Sequence, residues 1–334
     1  MKALVYLGPR TMDLQEMDDP SPGPGEVALA PTLSAICGSD LHGFREASPR
    51  RIPPLVMGHE TVGRIVAVGP GVEGARVDER VVLKPVLGCG RCDRCRAGAI
   101  NLCADGRLMG RDLAGGFAEL LTVPAGAAVP IPDGMSDDVA VLTEPLANAE
   151  HVAARAVTPG DTVFVIGSGP IGALMVRAAA IHGASRIFAT DTNEDRLAFA
   201  MAQGAEAVPS REAAASITTS TSGDGVDVVI DAAGYEATWA LGLQAVRPGG
   251  RVFEIGLGAP RGTVDFFAVL GKEATITGSY AWGDHDFQRA LELLAEGALD
   301  FDGWLTRVPL AHGQAAFEGL ADRGEPFKVL LEVG

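Results

Sequence analysis

Nowhere in this chain of 334 residues is there an uninterrupted apolar run of about 18, the length that a membrane-spanning helix requires. The most apolar stretch, TVFVIGSGPIGALMVRAAAI, is broken by three glycines, a proline and Arg177. No transmembrane helix is expected. The opening MKALVYLGPRTMD carries one lysine and turns polar before a signal-peptide core is complete, so a cytoplasmic location is expected rather than export. Basic residues are also scarce. With 27 Lys and Arg against 43 Asp and Glu, the formal net charge of −16 repels nucleic-acid phosphates and anionic membrane surfaces. Nucleic acid and membrane are therefore excluded as expected partners, and small molecules or proteins remain. No repeat or low-complexity segment stands out, and 47% hydrophobic residues argue against disorder. The length exceeds what one core serves well, so two domains are expected.

Cysteine is sparse but clustered. Four of the five lie in GCGRCDRCRAGAINLC, as Cys89, Cys92, Cys95 and Cys103, and Cys37 stands alone. A C-x2-C-x2-C-x7-C spacing brings four sulfurs within reach of one ion if the loop folds back. Disulfides and an iron–sulfur cluster are other uses of such a set. Zinc fits best in a reducing compartment, because four thiolates close its tetrahedral shell and leave no position for substrate. Gly88, Gly90 and Gly98 would ease the turns, and Arg91, Arg94 and Arg96 would offset thiolate charge. Cys37 opens CGSDLH, and His59 and Glu60 follow some twenty residues later in GHETVGRIVAVGPGV. Cys, His and a carboxylate could make an open zinc site with a vacancy for substrate. Singly, each has a plainer reading as a core thiol or a surface pair.

Residues 1 to about 145 carry short Val-rich runs bounded by Gly and Pro: EVALAPTLSAI, TVGRIVAV, ERVVLKP, FAELLTV and AAVPIP. These predict a compact, mostly-β unit. From about 146 strands alternate with helices. TVFVI precedes GSGPIG, the helical IGALMVRAAAIHG, and then RIFATD. Within this strand–loop–helix context, Gly167, Gly169 and Gly172 read as a dinucleotide fingerprint, with Pro170 in the helix's first turn and Asp191 at the end of the second strand. AEAVP, VDVVIDAAG, GRVFEIGL and ATITGSY complete six strands of a doubly wound parallel sheet. The expected cofactor is NAD, since the Asp191 carboxylate can accept from ribose hydroxyls and repels a 2′-phosphate.

CGSDLH, the G-H-E-x2-G-x5-G pattern from Gly58 to Gly69, and the four-cysteine lobe resemble, in order and separation, the zinc-dependent medium-chain alcohol dehydrogenase family. With TEPLANAEH at 143–151, the resemblance is greatest to the polyol (sorbitol), threonine and butanediol dehydrogenase branch, and it covers the whole chain. It implies an α/β fold: a chaperonin-10-like catalytic domain at 1–145 and 280–334, and a Rossmann NAD-binding domain at 146–279. Two zinc ions per subunit are implied, one structural and one catalytic, the latter on Cys37, His59, Glu60 and Glu144. Ser39 and His42 are implied as a proton relay, with Asp40 behind the ring of His59. Ile171, Ile255, Gly256, Leu257, Ser279 and Tyr280 are implied to line the cofactor; Arg196 is a cation that could hold a 2′-phosphate, though in the family an arginine here more often flanks the adenine. The implied reaction takes a hydride from a secondary alcohol, a polyol or related metabolite, to NAD. A threonine 3-dehydrogenase-like enzyme is the alternative, and a nonenzymatic dinucleotide sensor a more distant one. A homo-oligomer, dimer or tetramer, is also implied. The segment 43–57 contributes pocket residues that sequence does not place, and Phe44, Phe117 and Trp282 read equally as substrate contacts or core.

Overall fold

The computed structural model describes residues 1–299, 301, 303–323 and 327–334. In chain order the strands begin with β1 Lys2–Gly8, β2 Thr11–Glu16, β3 Glu26–Ala35, β4 Leu55–Val56 and β5 Glu60–Val68. Next come β6 Arg80–Leu83, β7 Val86–Leu87, β8 Arg107–Leu108, β9 Leu121–Pro124 and β10 Ala128–Pro130. A second set follows: β11 Thr162–Ile166, β12 Arg186–Thr190, β13 Glu206–Ala207, β14 Val226–Asp231, β15 Val246–Glu254 and β16 Thr275–Gly278. β17 Leu305–Pro309 and β18 Lys328–Glu332 close the series.

The chain divides into two compact units, Met1–Glu144 with Trp282–Gly334, and Pro145–Ala281. Pro145, Tyr280 and Ala281 thus stand in the second unit rather than in the first. In the first, the order β10-β6-β5-β3-β18-β17, with β9 also on β3, makes a mostly antiparallel sheet in which only β17 and β18 run parallel. β3 is largely buried along its length, as befits a strand paired with three others. One core gathers Tyr6, Phe44, Phe117, Phe317 and Leu331, and a second gathers Val27, Ile65, Val81, Leu83 and Val123. Phe44 and Phe117, each wholly buried, pack against Phe317 and are core rather than substrate contacts. Of the expected strand FAELLTV only the end is one: Ala118 makes an isolated bridge to Ala3, and β9 begins at Leu121.

The second unit is a six-stranded sheet in the order β13-β12-β11-β14-β15-β16, parallel throughout. Runs such as VFVI and VDVVID are buried on both faces, which is why they show no alternation. The strand order reverses beside β11, and such a reversal opens a crevice at the carboxyl ends of the strands.

Candidate metal and cofactor sites

The four clustered cysteines are all reduced, and their sulfurs lie within 4.8 Å of one another. Cys89 Sγ is 4.0 Å from Cys95 Sγ, and Cys92 Sγ is 3.9 Å from Cys103 Sγ. A regular tetrahedron with Zn–S bonds of ~2.3 Å has edges of roughly 3.8 Å, whereas a disulfide needs ~2.05 Å, so the set fits a metal and not a bond. Backbone N–H groups shape the lobe, Cys89 N donating to Cys103 Sγ and Cys95 N to Cys92 Sγ at 3.4 Å each. N–H groups of Arg91 and Cys92 pull the Cys89 thiol down to about 6, while burial pushes Cys95 up to about 12. Thiolates rather than thiols ligate metals, so a divalent cation bound here would favour the deprotonated form of these sulfurs. The arginines expected to offset thiolate charge hold other groups of the lobe: Arg94 Nη1 donates to Leu102 O at 2.7 Å and Arg96 pairs with Asp93, while Arg91 stands 3.9 Å from Asp105.

The second ligand cluster, also within 4.8 Å, is Cys37, His59 and Glu60. Cys37 is the N-cap of the helix Gly38–Arg45, and Asp40 at its third position accepts from Cys37 N at 3.2 Å. His59 and Glu60 stand at the head of β5, both buried. Asp40 is wholly buried, and its Oδ1 faces His59 Nδ1 at 3.5 Å while accepting from Arg51 Nη2 at 2.8 Å. Burial would raise the Asp40 carboxyl, but the His59 and Arg51 charges outweigh it and hold the group at about 2. Burial likewise opposes a charge on His59, and Asp40 with Cys37 overcomes it, raising the ring well above its usual value. Sulfur, imidazole and carboxylate are the donor types zinc takes in open sites, so the cluster fits that ion.

Lys328, at the head of β18, was not signalled by sequence. It is buried, and its Nζ straddles the Glu60 carboxylate at 2.8 Å from Oε1 and 2.6 Å from Oε2, with Ile36 O at 3.1 Å. Burial disfavours the ammonium, yet Glu60 and the anionic groups around it raise its pKa. Glu144 lies outside the 4.8 Å cluster among the described residues. It opens the helix Thr143–Ala156, and its Oε1 accepts from Trp282 Nε1 at 3.0 Å. Trp282 is wholly buried and packs against Phe287 with the two rings tilted at 40°. Ser39 is half-buried and accepts from Arg51 Nη2 at 3.0 Å, and His42 is exposed.

In the second unit, β11 ends at Ile166 and a helix starts at Pro170 with Gly169 as its N-cap. A Cβ on Gly172 would stand 1.8 Å from Gly167 O, so the loop can close over the helix only with glycine there. Asp191 directly follows β12 and secures the loop: Oδ2 accepts from Ser168 N at 2.7 Å and Oδ1 from Asn193 N at 2.8 Å. Arg196 sits in the first turn of the helix Glu194–Ala202. Ile255, Gly256 and Leu257 follow β15, and Ser279 and Tyr280 follow β16, at the carboxyl edge of the sheet. The Ser279 Oγ is buried without a hydrogen-bond partner.

The Zinc-binding dehydrogenase family model matches residues 170–296, and the Alcohol dehydrogenase GroES-like domain model matches 23–133. The chain is 35% identical over 304 residues to the L-threonine 3-dehydrogenase of Pyrococcus horikoshii, covering 88% of this chain and 87% of the other. It is 34% identical over 321 residues to the probable D-xylulose reductase A of Neosartorya fischeri, with 92% and 89% covered. Alcohol dehydrogenase TADH from Thermus sp. ATN1 superposes over the full length of both chains with a TM-score of 0.92 at 33% identity. The chain belongs to the zinc-dependent medium-chain alcohol dehydrogenase family, whose members are oxidoreductases that use zinc and NAD to act on alcohols.

Proposed function

We propose that the substrate is a secondary alcohol within a polyol or related hydroxylated metabolite, oxidised at a zinc ion held by Cys37, His59 and Glu60. The observation that carries this is the convergence of those three ligand atoms within 4.8 Å, with Asp40 facing the far nitrogen of His59. When bound, zinc supplies a Lewis acid for the substrate oxygen, and NAD accepts the hydride. Asp40 fixes the tautomer and orientation of His59. Lys328 balances the charge of Glu60 and keeps its carboxylate at the site. Glu144 acts as a direct or water-mediated ligand and is oriented by the Trp282 indole. Ser39 takes the proton of the alcohol and passes it on towards His42, whose exposure lets water remove it.

The second unit binds NAD on Gly167, Gly169, Pro170, Ile171 and Gly172, with Ile255, Gly256, Leu257, Ser279 and Tyr280 lining the cofactor and Arg196 beside the adenine. Asp191 favours NAD over NADP through the charge it presents near the ribose. The four-thiolate lobe holds a structural zinc, which calls for a reducing compartment and so supports a cytoplasmic location. No described helix is long and apolar enough to cross a membrane. The chain assembles as a homo-oligomer, a dimer or a tetramer, in which the uncovered edge strand β16 pairs with its copy.

A second reading, L-threonine 3-dehydrogenase activity, is favoured by the Pyrococcus horikoshii relative. NAD reduction measured with sugar alcohols, vicinal diols and L-threonine, with NADP run in parallel, separates the two. The polyol reading expects the highest kcat/KM with a sugar alcohol or diol and with NAD. A clear preference for L-threonine overturns it, and higher kcat/KM with NADP overturns the role given to Asp191.

A further inference from the structure

The segment between residues 43 and 57 puts a guanidinium into the first unit's interior. Arg51 is 5% exposed and reaches back to the helix Gly38–Arg45, where one nitrogen, Nη2, donates both to Ser39 Oγ at 3.0 Å and to Asp40 Oδ1 at 2.8 Å. We propose that Arg51 is a positioning residue for proton transfer, tying the Ser39 hydroxyl and the carboxylate behind His59 to a single group. The proposal rests on the reading of Ser39 as the first group of the relay.

The chemistry follows from what each partner can offer. A guanidinium only donates, whereas a hydroxyl has one hydrogen and two lone pairs. With Arg51 on one lone pair, Ser39 keeps one acceptor position for the alcohol proton and one hydrogen to pass on. Its hydrogen has no acceptor on the arginine side, so the relay acquires a direction. Asp40, on the same nitrogen, accepts from Cys37 N through its other oxygen. One side chain therefore sets the register of the relay hydroxyl against the metal-ligand cluster.

Packing alone does not account for this residue. The Arg51 Nε hydrogen is buried without a partner, a cost that a methionine of similar length would not carry. Room for the stem is made at Gly43, where a Cβ would stand 2.5 Å from Arg51 Cδ. The Gly43 backbone is itself held, its carbonyl accepting from Tyr6 Oη at 2.8 Å. Gly43 thus shapes the slot through which Arg51 reaches Ser39.

The test is a double-mutant cycle on the zinc-loaded enzyme with its best alcohol and NAD. Arg51→Ala is expected to lower kcat roughly tenfold or more, with KM for NAD and zinc content near wild type. Added ethylguanidine should restore part of the lost kcat. In the Ser39→Ala background, removing Arg51 should cost little further, because the two act as one unit. Gly43→Ala, which keeps the arginine but crowds its stem, should lower kcat without responding to ethylguanidine. The proposal is overturned if Arg51→Ala keeps wild-type kcat, if the two losses multiply independently, or if lost kcat only tracks lost zinc or lost melting temperature. If Ser39→Ala alone leaves kcat unchanged, the relay reading fails, and the Arg51 proposal fails with it. If Ser39→Ala lowers kcat while Arg51→Ala does not, only the Arg51 proposal fails.

Discussion

Cys92 caps the short helix Asp93–Arg96 and takes an N–H from Cys95 onto its sulfur, so the same sulfur shapes the turn and stands in the four-cysteine cluster. Cys92→Ser keeps the cap but removes a thiolate. The variant should fall from two zinc ions per chain to one and melt at a lower temperature, because a structural metal contributes folding energy directly. Metal analysis beside a thermal melt checks this, and two retained ions would show that the lobe holds its metal in another way. The clustering of the four sulfurs was readable in the sequence because all four cysteines fall within one short loop, where spacing limits which atoms can meet. Arg51 was not readable. Arg50 and Arg51 are chemically alike in sequence, and what buries the second is a slot beside Gly43 that only the folded helix creates. Lys328 was hidden for a different reason. β18 is buried on both faces, so alternation gave no sign of where its lysine points.

At the level of elements, β14 and β15 end side by side in carboxylates, with Asp231 aligned with Glu254. Asp231 accepts backbone N–H groups from Ala233 and Gly234 and the Thr238 hydroxyl. Burial, then the Asp231 charge, pushes the Glu254 carboxyl from 4.5 to about 8. The folded chain therefore keeps a proton that the unfolded chain has lost. Stability should fall as pH rises from about 4.5 to about 8 and change little from this source above that, since the folded state binds the extra proton only in this window. Glu254→Gln should flatten that slope. Urea midpoints of both proteins at about pH 5 and about pH 8 measure it, and equal slopes would assign the proton elsewhere. The six strands of this sheet were legible as runs of β-branched residues separated by turn signals. The paired carboxylates at their ends were not, because parallel register between strands some twenty residues apart is set by the packing of the intervening helix.

For the whole molecule, the open question is what covers β16. It is the edge of its sheet, and its four residues, Thr275–Gly278, include neither a charge nor a proline that would protect it. On the helix before it, Phe266, Phe267 and Leu270 are exposed, Phe267 at 88%. A two-fold pairing of β16 with its copy would extend the sheet and cover this apolar surface. Light scattering should therefore find a dimer or tetramer for the wild type. Ile276→Lys, which sets like charges against each other across such an axis, should shift the protein towards smaller species. An unchanged mass would move the interface elsewhere. The two-unit plan was legible from the change between short strands and alternating strands and helices. Assembly was not, because an edge strand and an interior strand look alike until the sheet order is known.

The Glu60–Lys328 pair spans 268 residues of chain. A ribosome makes Cys37, His59 and Glu60 early, but the ammonium that offsets the buried Glu60 emerges only after the entire second unit, Pro145–Ala281, has been synthesised. Until then the nascent first unit would have to bury a carboxylate without its cation, and β3 would lack β18 along one edge. A stop codon before residue 328 would leave a chain with all of its second unit but with the buried Glu60 carboxylate lacking its cation.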